Sequence, residues 1–141
     1  MNSCTLQILF KFGEIRNEYM TVSVNNSQSI ITPTDGEIYC YEQQLLLPDS
    51  VTLEFSGKCN GQDTDVDKDG NIIKDKHVII TEIRLDNLPM HPLYLKRRLK
   101  LEYGDQINYS NYVGFNGKMV INFNKPDVFR QLMYWKHLGE Y

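Results

Sequence analysis

Residues 5–15 read Thr-Leu-Gln-Ile-Leu-Phe-Lys-Phe-Gly-Glu-Ile, a stretch in which every second side chain from Leu6 to Phe12 is apolar. Because every second residue of a β-strand faces the same side, one side of this stretch is apolar and carries Leu6, Ile8, Phe10 and Phe12. Gln7 and Lys11 face the other side. The stretch therefore predicts a strand with one face buried in a core and the other exposed to solvent.

The same pattern recurs along the chain in short segments, namely 19–24, 30–31, 37–47, 51–55, 77–85, 93–103 and 118–123. Turn residues separate them every ~8–12 positions, as in antiparallel sandwiches. Asn116-Gly117 is the strongest hairpin signal. We predict about eight strands in an all-β fold, one jelly-roll-like antiparallel β-sandwich over residues 1–141. After Pro126, the sequence is compatible with a short helix capped by Asp127 and with an extended tail.

The amino-acid composition favours strands and disfavours some classes of protein. The 141 residues include no alanine, the best helix former. A net charge of −3 provides no basic field for nucleic acid, and no apolar run is long enough to span a bilayer. The N-terminal residues show no signal-peptide pattern, and the three cysteines, Cys4, Cys40 and Cys59, show no metal or disulfide spacing. These features predict folding in a reducing cytoplasm, with each cysteine a small core residue.

Residues 63–71 form an acidic run, Asp-Thr-Asp-Val-Asp-Lys-Asp-Gly-Asn. Calcium takes about six to eight oxygen ligands, and alternating aspartates place several carboxylates on one side of a loop. The run matches the first half of an EF-hand loop, but Lys76 stands where that loop needs a bidentate glutamate. Two alternatives remain, a looser calcium site and a solvated hairpin that turns at Gly70. The candidate calcium ligands are Asp63, Asp65, Asp67 and Asp69.

Aromatic residues are more numerous than an alternating core requires. Tyr109, Tyr112 and Phe115 lie in a polar, Asn-rich segment, where they are candidates for binding a sugar or a protein partner. The alternative is that they are half-buried residues at the sandwich edge.

Catalytic motifs are missing from the sequence. His77, His91 and His137 are scattered, and there is no GxSxG motif, P-loop or GxGxxG motif. We therefore expect a protein that is not an enzyme.

The segment from Asn60 to Leu85, with its acidic run leading into His-Val-Ile-Ile-Thr-Glu-Ile-Arg-Leu, carries a resemblance. Together with Val-Gly-Phe-Asn-Gly-Lys-Met-Val-Ile-Asn-Phe at 113–123 and the later Leu-Met-Tyr-Trp, it resembles small proteins of large tailed phages of marine bacteria. Those proteins are similar to β-sandwich carbohydrate-binding modules. The resemblance covers roughly the C-terminal half of the chain. It implies a virion or accessory protein assembled in the host cytoplasm, with the acidic run facing calcium or glycan.

Three functional hypotheses follow. The first is a non-enzymatic tail or capsid module that contacts other virion proteins or itself, and also a host glycan. The second is a calcium-dependent carbohydrate-binding module outside any virion. The third is a jelly-roll enzyme, which would require His77, His91 and the aspartates to converge in a cleft.

Overall fold

Alternating strands assemble into two antiparallel sheets that face each other. The computed structural model describes residues 3–15, 18–25, 29–31, 38–46, 49–59, 62–90 and 99–123. The strands in these ranges are β1 Ser3–Gly13, β2 Thr21–Val24, β3 Ser29–Ile31, β4 Ile38–Leu46, β5 Asp49–Ser56, β6 Thr64–Val66, β7 Ile72–Asp75, β8 His77–Leu85, β9 Leu88–Pro89, β10 Lys100–Tyr103, β11 Gln106–Tyr109, β12 Tyr112–Val113 and β13 Gly117–Phe123.

The first sheet has the strand order β12-β8-β1-β4, with β9 also paired to β8. The second sheet has the order β11-β10-β13-β5-β2-β3, and β6 and β7 form a separate two-stranded hairpin. All of these pairings are antiparallel. The predicted all-β sandwich is confirmed, and it consists of two open sheets.

The core lies between the inward faces of the two sheets. In β1 the burial alternates as the sequence predicts, with Leu6, Ile8 and Phe10 fully buried. The facing sheet contributes the alternating residues Val51, Leu53, Phe55, Met119, Ile121 and Phe123, all nearly inaccessible. Apolar burial of this kind is the main stabilising contribution to the fold, about 25 cal/mol for each Å² removed from water.

The prediction of a hairpin at Asn116-Gly117 is wrong. β12 belongs to the first sheet and β13 to the second, so these two residues cross from one sheet to the other. The Asn116 side chain forms two hydrogen bonds with the backbone of Lys58. Its amide oxygen accepts from the Lys58 N–H at 2.9 Å, and its amide nitrogen donates to the Lys58 carbonyl at 2.7 Å. A Cβ on Gly117 would lie 2.6 Å from the carbonyl oxygen of Glu102. Glycine is needed here for close approach between strands.

Several short strands were not predicted. The acidic run forms the hairpin β6–β7, which turns over residues 67–71 with Gly70 at a φ of 84°. The polar aromatic segment contains β11 and β12. The acidic run therefore forms the hairpin that one of the two alternatives predicted, but Asp63 and Lys76 at its base are buried and not solvated.

Other predictions meet the structure only in part. Cys4 is buried, but Cys40 and Cys59 are exposed, so the prediction of three core cysteines is wrong for two of them. Of the predicted strand 93–103, the described part is β10. The short helix after Pro126, His91 and His137 lie outside the described residues. Within the described ranges, no helix is long and apolar enough to cross a membrane.

Candidate functional site

A cluster of polar side chains lies where the acidic hairpin joins the sandwich. We call it the Asp75 cluster, and it consists of Lys58, Thr64, Asp75, His77 and Tyr112. Lys58 follows β5 of the second sheet, whereas His77 begins β8 and Tyr112 begins β12 of the first sheet. Thr64 and Asp75 form the cross-strand pair at the base of the hairpin. The cluster thus ties both sheets to the hairpin.

The Asp75 carboxylate is the centre of the cluster. Its Oδ1 accepts hydrogen bonds from Lys58 Nζ at 2.6 Å and from Thr64 Oγ1 at 2.7 Å. Its Oδ2 accepts a hydrogen bond from the Tyr112 hydroxyl. The side chains of Lys58 and Asp75 are only 5% and 10% exposed, so this is a buried ion pair. Such a pair stabilises the fold only while both partners are present.

These contacts set the protonation states of the cluster. Burial by itself would raise the pKa of Asp75, but the hydrogen bonds from Lys58, Tyr112 and Thr64 outweigh burial and hold that pKa below its usual value. Burial, together with the hydrogen bond to Asp75 and its negative charge, raises the pKa of Tyr112 well above that of a free phenol. At neutral pH the cluster therefore contains a carboxylate and a neutral phenol.

The Tyr112 ring is held in one orientation. The ring of His77 stacks on it with centroids 4.7 Å apart and planes inclined by 19°. His77 Nδ1 lies 2.7 Å from the Asp75 backbone oxygen, an acceptor, so Nδ1 carries the proton and donates. Tyr112 is nevertheless 40% exposed. A fixed ring with a large exposed fraction is a ready contact surface.

Gly13 makes room for the His77 ring. Gly13 lies opposite His77 in the β1–β8 pair, and a Cβ on Gly13 would lie 2.1 Å from Cε1 of the imidazole. We expect Gly13→Ala to displace the His77 ring and to lower the free energy of unfolding by about 2 kcal/mol. The measurement is urea unfolding. In a His77→Ala background, Gly13→Ala should lower the free energy of unfolding much less than it does in the wild type, because the clashing ring is absent. Equal costs of Gly13→Ala in the two backgrounds would contradict this account.

Phe115 joins the cluster through Lys58. The Lys58 ammonium lies 5.7 Å from the Phe115 ring centroid, and the ring of Tyr103 stacks on Phe115 at 4.9 Å. Gly114 permits this closeness, because a Cβ there would lie 3.0 Å from Tyr112 Cε1 and 3.5 Å from Lys58 Nζ. Phe115 remains 42% exposed.

The three aromatic residues predicted to bind a ligand do not all lie together. Tyr112 and Phe115 both contact the Lys58–Asp75 ion pair, Tyr112 through its hydroxyl group and Phe115 through the Lys58 ammonium. Tyr109 lies on β11 in the second sheet, opposite Lys100, and is 59% exposed. The structure thus connects two of the three to the cluster.

The four aspartates predicted as calcium ligands have different surroundings. Asp63 is buried; its Oδ2 accepts from the Cys59 backbone N–H at 2.7 Å and lies 3.5 Å from Lys76 Nζ. Asp67 accepts from the backbone N–H groups of Asp69 and Asn71, both at 2.9 Å. The hydrogen bond from Asn71 is the main reason that the pKa of Asp67 is lowered. Asp65 and Asp69 are exposed.

This arrangement does not fit a calcium site well. Asp63 is paired with Lys76, which also donates to the Gly57 carbonyl at 2.6 Å, so one predicted ligand faces a buried cation. Among the described residues, no three His, Cys, Asp or Glu side chains are grouped to hold a metal ion. Calcium binding stays a prediction, and a calcium titration followed by thermal unfolding tests it.

Three comparisons with known proteins found no match to this chain. No protein-family model matches the chain, and neither the curated proteins nor the solved structures contain a significant match.

Sequence reasoning assigned no binding role to four of the five members of the cluster, namely Lys58, Thr64, Asp75 and His77. Asp75 lies beyond the alternating aspartates and forms its bonds with residues 17 and 37 positions away. Local spacing carries no signal for such contacts. The nearest hint was the basic residue directly after Gly57, which stood in a loop with no pattern of its own.

Proposed function

We propose that this protein is a non-enzymatic binding module that contacts a carbohydrate through Tyr112 and Phe115. The observation that carries the proposal is the Tyr112 ring, which His77 and Asp75 hold in place while 40% of the residue stays exposed. The C–H face of a sugar ring is apolar and stacks on an aromatic face, and ordering the ring in advance lowers the entropy cost of binding.

The protonation states support binding rather than catalysis. A general acid or base needs a pKa close to the working pH. In the Asp75 cluster, the carboxylate has a lowered pKa and the phenol a raised one, so neither changes its charge near neutrality. The Asp75 oxygens are also occupied by Lys58, Thr64 and Tyr112. The Asp75 cluster thus holds the exposed Tyr112 ring in a fixed position.

The test is binding to an array of immobilised glycans, followed by calorimetry with the strongest ligand. Tyr112→Ala should weaken binding by at least about tenfold, which corresponds to ~1.4 kcal/mol. Tyr109→Ala is the control, because Tyr109 is more exposed than Tyr112, at 59% against 40%, but lies on another strand outside the Asp75 cluster. The proposal fails if no glycan binds, or if both substitutions reduce binding equally.

The wider setting that we propose is a virion, as a tail or capsid component that contacts other virion proteins. Its support is the resemblance of the acidic run and the strands that follow to phage proteins. Mass spectrometry of purified particles from the source of this chain tests it. Absence of the chain from such particles would leave the carbohydrate-binding proposal standing and remove the virion setting.

A further inference from the structure

Strand β4 is an unusually long sheet edge. It has nine residues, and among the strands that the structure describes it pairs with β1 alone. In the two sheets of the sandwich, the other edge strands among the described residues are β3, β9, β11 and β12, with three, two, four and two residues. An edge strand presents a row of unpaired backbone N–H and C=O groups to any extended chain. β4 therefore offers the longest pairing edge of the described sandwich.

β4 has only one of the usual protections against pairing, the exposed charge of Glu42. Its sequence, Ile-Tyr-Cys-Tyr-Glu-Gln-Gln-Leu-Leu, contains no lysine, arginine, proline or glycine. Its register with β1 runs from Ser3↔Leu46 to Lys11↔Ile38 without a bulge. Ile38 and Leu46 are 55% and 74% exposed, and Tyr39 is 43% exposed. Soluble proteins commonly block long apolar edges with charges, proline or bulges, so this edge is suited to a partner strand.

The two ends of β4 are apolar on both faces. Ile38 and Leu46 lie at the two ends of the outward face, opposite Lys11 and Ser3 of β1. On the inward face, Tyr39 and Leu45 hold the corresponding end positions. Polar residues, among them Glu42, occupy the middle of the strand. An antiparallel strand with the same sequence would match apolar ends to apolar ends on both faces.

We infer that β4 pairs antiparallel with β4 of a second copy of this chain, with Glu42 at the two-fold axis. In this register Ile38 lies opposite the partner's Leu46, and Tyr39 lies opposite the partner's Leu45. The interface is isologous, as in most homodimers, and it joins two first sheets into one continuous sheet. The apolar residues at the two ends of β4, which lie opposite each other in this register, are the reason for choosing a second copy as the occupant over another protein.

Glu42 limits the strength of this dimer. Its carboxylate accepts from Gln7 Nε2 at 2.9 Å, and in the dimer it lies opposite the same carboxylate of the second copy. Like charges directly opposite each other weaken a strand pair. One strand pair is also smaller than a standard interface of about 1,600 Å². We therefore expect a dimer that dissociates on dilution, and Glu42→Gln should strengthen it.

Sedimentation equilibrium from about 1 μM to about 1 mM tests the pairing. The double variant Ile38→Lys/Leu46→Lys places like charges opposite each other at both ends and should raise the dimer dissociation constant by at least about tenfold. The matched variant Ile38→Lys/Leu46→Glu places opposite charges there and should restore dimerisation. A wild-type protein that stays monomeric, or a dimer equally strong in both variants, would overturn the inference.

Disulfide trapping tests the register separately. Cys40 lies opposite the partner's Gln44 in the proposed pair, at a Cα separation of ~5 Å that a disulfide can bridge. In a Cys59→Ser background, Gln44→Cys should yield a disulfide-linked dimer on mild oxidation. The same background without Gln44→Cys should not cross-link, because the two Cys40 residues are then four positions out of register. Efficient cross-linking through Cys40 alone would refute this register.

Discussion

Asp75→Asn is expected to lower the free energy of unfolding by about 3 kcal/mol, because it leaves a buried lysine without a counterion. Lys58 has only 5% of its side chain exposed and has its ion pair with Asp75. The amide cannot replace the carboxylate, because its nitrogen would face one of the donors Lys58, Thr64 and Tyr112. The loss combines a broken ion pair with unsatisfied hydrogen-bond donors.

Urea unfolding at pH 7 measures this loss. Asp69→Asn is the control, since Asp69 is an exposed aspartate of the same hairpin. Its hydrogen bond to Asp67 in the turn is donated by its backbone N–H, which the substitution leaves in place. Surface changes of this kind usually alter stability by less than about 0.5 kcal/mol. If Asp75→Asn costs no more than Asp69→Asn, the cluster is not holding the hairpin to the sandwich.

The pH dependence gives an independent check on Asp75. Its pKa is lower in the folded protein than in the unfolded chain, so folding favours the ionised form. The stabilisation is complete above the unfolded value of about 3.9 and is lost as the pH falls through the lower folded value. The stability difference between wild type and Asp75→Asn should therefore be constant near neutrality and shrink below about pH 4. A difference that grows in acid would contradict this sign.

Gly117→Ala is expected to cost about 3 kcal/mol, because the added methyl group meets backbone atoms of a neighbouring strand. Its Cβ would lie 2.6 Å from the Glu102 carbonyl oxygen and 3.1 Å from Leu101 Cδ1. Both residues pair with β13, so β10 and β13 would have to separate. This substitution would weaken the second sheet at the point where the chain crosses from β12 to β13.

Gly70→Ala is the matched control for this substitution. Gly70 has a φ of 84° and open space around the position of a Cβ, so alanine there meets backbone strain alone. That strain is worth about 1 kcal/mol. Unfolding of both variants in guanidinium chloride measures how much free energy of unfolding each loses, to the steric clash at Gly117 and to the backbone strain at Gly70. Equal costs for Gly117→Ala and Gly70→Ala would show that the strands can adjust to the extra methyl group.

Much of the fold could be predicted because burial leaves a period of two in a strand. Leu6, Ile8 and Phe10 occupy every second position of the strand, and these are the positions that are buried in β1. The short strands were harder to find. β6 and β7 have mostly exposed side chains, so apolar alternation does not mark them. Their pairing depends on the turn over residues 67–71 and on the contacts of Asp75.

The sequence by itself determined the fold class, the inward faces of the long strands, and the absence of a recognised catalytic motif. Tertiary structure alone decided that Asn116-Gly117 crosses between sheets, that Asp63 is buried beside Lys76, and that Asp75 gathers Lys58 and Tyr112. The physical reason is the range of the interactions. Strand alternation is a local property, whereas a buried carboxylate takes its partners from whichever distant strands the packing of the two sheets brings within hydrogen-bond reach.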